Sequence, residues 1–575
     1  MKSSYLALAL VSILFSSCQS EESIQEPAEE TRQPNIVLIL VDDMGYTDVG
    51  AFGSEISTPN IDALANAGTR LTNFHSSPQC APTRSMLLSA ADNHKAGMGS
   101  MFPSAMIEED YGHREGYERQ LHDRVATLPE RLGDAGYHTY MTGKWHVGGA
   151  EHQIPAKRGF DRSFALMTGS SSHFGFPTVN PATAFREDGV LLESLPDNFY
   201  STSTYTDKMI EFIDSNRGDG KPFFGYLALT APHWPLQVPP KYLEHNMGRY
   251  DAGYDVLRAE RIERAEALGV IPAIDPDLFE LIGPAWDELS DEEQRDSARR
   301  MELYATMMEI MDDNIGRLVA HLKETGEFDN TFFFFMSDNG AEADNEIDNL
   351  TFAGQIDGSG FVDNSFENYG NATSWVFLGP GWAQAATAPY RMFKGFSSEG
   401  GHRVTSFMFH PTLANDASLD NQYLTLIDVM PTFLDLAGAT FDESTVRGRD
   451  VEPMDGRSFV SILEGATDPV YGPDDVIAWE LHGQRELRRG NWKLVWEQRP
   501  INIAWYGDNR DSWKSWQLYD LELDPTEQQD LAQDEPELVA ELAALWEQWA
   551  DENNVMKDVT AKWPPPSPPT RQSRD

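Results

Sequence analysis

The sequence predicts an α/β protein: a large, mixed but mainly parallel sheet flanked by helices, then a small C-terminal antiparallel sheet with one helix. Three observations carry this. Four apolar runs have the length and the β-branched or aromatic content of strands buried on both faces, and segments with helical spacing separate them. Each run stops at polar residues capable of chemistry. Beyond residue 470 the pattern changes to alternating strands and a last amphipathic helix. A chain of 575 residues with 40% hydrophobic content can bury a large core and a smaller one.

In chain order, residues 1–18 read as a signal peptide: Lys2, an apolar run from Tyr5 to Phe15, then small residues, too short to span a bilayer. Cys18 after Phe15-Ser16-Ser17 is similar to a bacterial lipoprotein cleavage box. Export is therefore expected, to the periplasm or the cell surface, with membrane contact only through an acylated Cys18; ordinary signal-peptide cleavage is the alternative. Residues 19–33 are acidic and lack large apolar side chains, as a flexible linker does. The main domain is expected over 34–470, an α+β subdomain over 471–557 and a Pro-rich tail over 558–575.

The first strand, Ile36–Val41, ends at Asp42 and Asp43. GYHTYMTGKWHVGG ends at Lys144 and His146, PFFGYLALTAPHWP at His233, and NTFFFFMSDNGAE at Asp338 and Asn339. In open α/β sheets ligands bind at the carboxyl edge of the strands, so four strands deliver seven such side chains to one rim. Tyr304, Met307, Met308, Met311, Ile315, Leu318 and Leu322 recur at helical spacing and predict a core-facing stripe. Lys241–Arg300 is charged and helix-prone, an insertion over the sheet. LRRGNWKLVWEQ and SWQLYDLELDP alternate as strands, and Leu538, Leu542, Leu545 and Trp549 mark the helix face that packs on them.

Charge narrows the function. The formal net charge is −48, from 92 acidic and 44 basic residues, which excludes nucleic acid as the natural partner. An anionic substrate needs a local basic pocket inside that field. Asp42-Asp43 and Asp338-Asn339 each fit a turn or a helix cap. Both pairs at buried strand ends point to a hard, oxygen-ligated divalent cation, Ca2+ or Mg2+, rather than zinc.

Cys80 is the sole cysteine of the body of the chain, so no disulfide within it forms once Cys18 is cleaved or acylated. A lone cysteine is ordinarily an inert buried thiol. Here Pro82 restrains the turn and TRSMLLSAA is helical, which sets Cys80 near a helix N-terminus that favours anions. A thiolate nucleophile is one reading, but it needs a histidine base and leaves the metal unexplained.

CAPTRSMLL resembles the signature of type I sulfatases, which begins Cys-x-Pro-Ser-Arg, and is most similar to bacterial arylsulfatases of the alkaline phosphatase superfamily. VDDMGYTD, GKWHVG, APHWPLQ, SDNGAE, KGFSSEGGHR and LYDLELDPTEQQDLA resemble the motifs of that family, in its order, from about Asn35 to Leu531. One departure is that Ser89-Ala90 replaces the usual Gly-Arg or Gly-Thr after Leu87-Leu88, which bears on the shape of that helix turn.

The resemblance implies an alkaline phosphatase-like fold and a sulfuric ester hydrolase. Cys80 would be oxidised by a maturation enzyme to formylglycine, whose hydrate attacks sulfur with one hydroxyl and expels sulfate through the other. Asp42, Asp43, Asp338 and Asn339, with residue 80, would hold Ca2+, with Mg2+ an alternative. Lys144 and Lys394 would neutralise the sulfate, and Arg84 would hold the hydrated aldehyde and the metal ligands. His146 would be the base, and His233 would contact the sulfate and protonate the leaving oxygen. His94, His402 and Arg403 read as structural. The expected substrate is a small-molecule or oligosaccharide sulfate ester. The rivals are a phosphonate or phosphate ester hydrolase of the same superfamily, and a surface lipoprotein that binds sulfated glycans without cleaving them. Two aromatic loops, SSSHFGFPTVNPATAF and RPINIAWYGDNRDSWKSW, fit sugar-stacking walls or packing between domains equally.

Overall fold

The computed structural model describes residues 1, 33–101, 114–175, 184–274, 282–344, 362–412, 418–463, 465–498 and 515–557. All of the signal peptide but Met1, Cys18 included, nearly all of the acidic linker, the Pro-rich tail, half of the first aromatic loop and most of the second lie outside these residues.

The large sheet has ten strands: β1 (Asn35–Asp42), β2 (Thr69–Leu71), β3 (His138–Lys144), β4 (Arg162–Leu166), β5 (Phe185–Glu187), β6 (Val190–Leu191), β7 (Phe223–Pro232), β8 (Thr331–Ser337), β9 (Ser406–Phe409) and β10 (Ser418–Asp420). Their spatial order is β10-β2-β9-β8-β1-β7-β3-β4-β5-β6. The four strands read from sequence, with β4, form a parallel centre, β8-β1-β7-β3-β4. β9 runs antiparallel to β8 on one side, and β5 antiparallel to β4 on the other.

β1 shows why its run is continuously apolar. Val37, Ile39 and Val41 belong to one hydrophobic core, Ile36, Leu38 and Leu40 to another on the opposite face. A strand covered on both sides has no solvent face on which to alternate.

The helices follow their sequence signals. α1 spans Pro59–Ala67, α2 Cys80–Ser89, α3 Ser201–Asn216 and α4 Asp291–Thr325. α4 begins at a capping box in which Ser290 and Glu293 satisfy each other's backbone N–H, and it ends at Gly326, whose φ of 75° suits a left-handed cap. All seven residues of its predicted stripe are buried in the first core. In the charged 241–300 segment, the helix Tyr254–Ala267 sends Tyr254, Leu257, Ile262 and Ala265 into that core.

The small sheet is antiparallel: β11 (Val476–Leu481), β12 (Gln484–Arg489), β13 (Trp492–Trp496) and β14 (Trp516–Asp520). LRRGNWKLVWEQ is therefore not one strand but a hairpin, with Arg489 paired to Trp492 across a turn. On helix α5 (Pro536–Glu552), Leu542, Trp546 and Ala550 are fully buried, while Leu538, Leu545 and Trp549 flank them half-buried. The axis of the face shifts because Trp546 reaches under the sheet and its indole N–H donates to the Trp479 carbonyl (3.1 Å). Among the described residues no helix is long and apolar enough to cross a membrane.

Candidate active site

The carboxyl ends of β1, β7, β3 and β8 meet at one rim. Immediately after β1 the chain turns left-handed at Asp43 (φ 67°). Asp48 holds that turn: its carboxylate accepts from the Gly45 N–H (2.7 Å), the Tyr304 hydroxyl (2.6 Å) and Arg261 (2.5 Å). The turn is tied to the end of β8 by the Asp43 N–H, which donates to Asp338 Oδ1 (3.2 Å), and by the Met44 N–H, which donates to Ser337 Oγ (3.1 Å). Asp43 and Asp338, 295 residues apart, thereby share one buried pocket with Asp42 and Asn339.

Cys80 is the first residue of α2 and is 3% exposed. One turn on, Arg84 is fully buried; it donates to the Lys144 carbonyl (2.9 Å) and Asp338 Oδ2 (2.8 Å), and lies 3.4 Å from Asp42 Oδ1. Thr83 Oγ1 donates to the Asp338 carbonyl (2.7 Å), so α2 is pinned to the acidic pocket along its first turn. Lys144, at the end of β3, reaches both oxygens of Asp42 (2.8 and 2.7 Å). It arrives there because Gly143 (φ 106°) lets the chain press against β7: a Cβ at that position would lie 1.8 Å from the Ala228 carbonyl oxygen.

His146 Nδ1 lies 3.4 Å from Cys80 Sγ. Burial, reinforced by Lys144 and Arg84, holds this imidazole well below its usual pKa, so it is neutral and able to accept a proton. Burial pushes the Cys80 thiol up despite Lys144 and Lys394, which disfavours the thiolate-nucleophile reading. His233, after β7, donates its Nδ1–H to the Trp234 carbonyl (2.6 Å), and its Nε2 lies 3.4 Å from Asp43 Oδ2. Burial drives its pKa down to about 3, against the pull of Asp43. Lys394 bridges Asp43 Oδ1 (2.7 Å) and Glu342 Oε2 (2.8 Å).

The pocket fits a hard cation. Donor atoms of Asp42, Cys80 and Asp338 all lie within 4.8 Å of one another, as do those of Asp42, Asp43 and His233. Asp43 Oδ2 and Asn339 Oδ1 are buried with no hydrogen-bond donor. Burial and the Asp42 carboxylate push Asp338 up to about 7 in spite of Arg84, whereas Asp43 is held below the usual carboxylate range, burial being outweighed by His233, Lys394 and Lys144. Orphaned acceptors and a strained carboxyl are what an oxygen-seeking ion relieves.

Every residue nominated from sequence thus lies in one cluster: Asp42, Asp43, Cys80, Arg84, Lys144, His146, His233, Asp338, Asn339 and Lys394. Three supporting residues escaped that reading. Glu342 anchors Lys394, Asp48 sets the turn after β1, and His173 Nε2 contacts the His233 carbonyl oxygen (3.0 Å). Glu342 and Asp48 stand within SDNGAE and VDDMGYTD, so a signal for them was present; His173 has none. His94 and His402 are structural, paired with Glu480 (2.9 Å) and Glu486 (2.9 Å) of the small sheet.

The sulfatase family model matches residues 34–439. The chain is 42% identical over 541 residues to an uncharacterized sulfatase of Schizosaccharomyces pombe, covering 92% of this chain and 95% of that one. It is 38% identical over 441 residues to an arylsulfatase of Klebsiella aerogenes, covering 76% of this chain and 93% of that one. Among solved structures, Ps i-CgsB in complex with k-i-k-neocarrahexaose shares the fold, with a TM-score of 0.62 at 23% identity over 92% of this chain and 96% of that chain. A parallel sheet whose rim gathers an acidic quartet, two lysines and a buried cysteine under a family match of this extent makes the chain a member of the sulfatase family, a hydrolase of sulfuric esters.

Proposed function

We propose that the protein hydrolyses sulfate monoesters, of aryl alcohols or sulfated saccharides, with Cys80 converted to formylglycine and one divalent cation, Ca2+ before Mg2+, held by Asp42, Asp43, Asp338 and Asn339. The observation that carries this is the approach of residue 80 to Asp42 and Asp338 within a single ligand sphere. When bound, the cation would supply Lewis acidity toward the nucleophile and the sulfate. The hydrated aldehyde supplies a nucleophile that is released by re-forming its carbonyl.

The protein's own side chains do the rest. Lys144 and Lys394 bring two ammonium groups to a site that must take an anion inside a chain of net charge −48. Arg84, fixed by the Lys144 carbonyl and Asp338, keeps α2 and residue 80 in place against the pocket. His146, neutral and next to residue 80, takes the proton of its hydroxyl. His233 donates its Nδ1–H to the Trp234 carbonyl, so Nε2, bare in the neutral ring, has to take up a proton before it can give one to the leaving oxygen.

The sulfated-saccharide reading is supported by the fold shared with a neocarrahexaose complex, and the aryl reading by the Klebsiella aerogenes arylsulfatase. We place the protein outside the cytoplasm, anchored through Cys18, on the sequence of residues 1–18.

The test has two parts. Mass spectrometry of the Cys80 peptide, from protein made with a formylglycine-generating enzyme, is expected to show the aldehyde. Turnover of an aryl sulfate, a sulfated oligosaccharide and an aryl phosphate is then compared. A fully retained thiol in protein from its native host, together with glycan binding, would establish the non-catalytic reading instead. Faster phosphate than sulfate turnover would establish the phosphohydrolase.

A further inference from the structure

A cavity of about 700 Å³ opens where the end of β2 faces the β12–β13 hairpin, lined by Asn73, Arg403, Tyr423, Tyr471, Arg488 and Glu522 among others. No member of the acidic quartet, and neither Cys80 nor the two site lysines, lines it. Its volume is in the range of small-molecule sites and exceeds that of a single oxyanion.

Just behind one wall lie unsatisfied polar groups of three kinds, each atom closed off from solvent by its neighbours, so that a ligand reaches them only when these side chains turn outward. Arg488 is 7% exposed; its Nε donates to the Gly490 carbonyl (3.2 Å), its guanidinium lies 4.1 Å from the centre of the Tyr423 ring, and its Nη1 has no acceptor. Asn73 is also 7% exposed; its Nδ2 donates to the Asn421 carbonyl (3.2 Å), and its Oδ1 has no donor. The Tyr423 hydroxyl is buried and unpartnered. Arg403, by contrast, is saturated by the Thr72 carbonyl and Glu399. The carboxylates behind the wall are already engaged: Glu399 by Lys493 (2.8 Å) and Glu486 by His402 (2.9 Å). Glu522, also in the lining, accepts from Asn491. Burial lowers the pKa of Arg488, so this guanidinium is desolvated and only partly compensated.

We propose that this cavity is a second carbohydrate site, in which Arg488 takes a sulfate group of a sulfated saccharide and Asn73 and Tyr423 take its ring hydroxyls. A neutral sugar leaves the guanidinium without its anion, and free sulfate leaves the acceptor and most of the volume unused. Asn73 lies seven residues before Cys80, and the β2 end and the acidic pocket belong to the same rim, since Leu71 leads out of the sheet beside β9 as Ser337 leads out of β8. A chain of sugars held here stays tethered to the enzyme while another unit is hydrolysed. The choice of ligand rests on the sulfated-saccharide reading of the active site.

The experiment is calorimetric titration of the full chain carrying Cys80→Ala, which cannot turn over, with a sulfated galactose disaccharide, its desulfated parent and inorganic sulfate. Two classes of site are expected for the sulfated sugar. Arg488→Met is expected to weaken one class about 10- to 100-fold and to spare the other. Asn73→Ala is expected to weaken the same class. With Cys80 intact, Arg488→Met is expected to keep its kcat/KM on a small aryl sulfate, which shows that it folds. A single class in the parent, a second class unmoved by Arg488→Met, or equal binding of the desulfated sugar or of inorganic sulfate overturns the proposal. If Arg488→Met does not fold, an unchanged second class in Asn73→Ala overturns it. Absence of turnover of both the aryl sulfate and the sulfated disaccharide by the matured wild-type protein would refute the catalytic reading and leave these binding outcomes decisive.

Discussion

Lys394 holds two carboxylates at once, and burial works against its charge while Asp43 and Glu342 keep it well above the usual lysine range. It therefore stays an ammonium at any working pH and is available to an incoming anion. Replacing it in Lys394→Met removes a fixed charge from the place proposed for the sulfate, and on that proposal kcat/KM on an aryl sulfate should fall by about 10²–10³-fold, in line with other losses of a preorganised charge-stabilising group. Steady-state kinetics checks this, with far-UV circular dichroism as the fold control. At this scale the sequence was legible where a strand end itself delivers the side chain, as for Asp42, Lys144 and Asp338. It was opaque where one loop supports another. Glu342 stands in a readable motif, but its tie to Lys394, 52 positions away, is not written there, and the contact of His173 with the carbonyl of His233 leaves no trace in local composition.

Helix α2 ends on Ala90, which takes φ 53° and donates its N–H to the Met86 carbonyl (2.7 Å). This is the left-handed cap at which glycine is free and a Cβ is strained. Ala90 thus carries a Cβ at a position whose backbone favours glycine. Ala90→Gly should stabilise the protein by about 0.5–1 kcal/mol, read as a raised urea midpoint with an unchanged m-value. Elements were readable in proportion to how uniformly they are covered. β1 and β8, packed on both faces, announce themselves as apolar runs. The face of α5 was read one residue off its axis, because the anchor Trp546 is fixed by a contact to β11, a strand that the sequence reading did not identify.

Across the whole molecule, the small sheet is fastened to the large one by buried charge rather than by apolar area alone. Lys493 meets Glu399 (2.8 Å) and Glu527 (3.0 Å), and His94 lies between Asp92 (3.0 Å) and Glu480 (2.9 Å). Burial opposes the charged His94 ring, but Asp92 and Glu480 raise its pKa to about 9. A histidine raised from 6.5 stabilises the fold fully below pH 6.5 and loses that contribution as pH climbs through about 9. The amount is on the order of 3 kcal/mol. Thermal unfolding from pH 6 to pH 10 should show this decline, and His94→Gln should lower stability at pH 6 and flatten the slope. The motif KGFSSEGGHR has a double meaning at this scale. Its lysine serves the rim, whereas Glu399, His402 and Arg403 serve the clasp, a division that residue types alone do not reveal.

The burial of Cys80 fixes an order of events. A side chain 3% exposed, sealed beneath His146 and the first turn of α2, offers no approach to a second enzyme once the sheet has closed. The oxidation proposed for it would have to happen on a nascent or still extended polypeptide, so timing during biogenesis, rather than strength of docking to the finished protein, would decide what fraction of molecules ever becomes active.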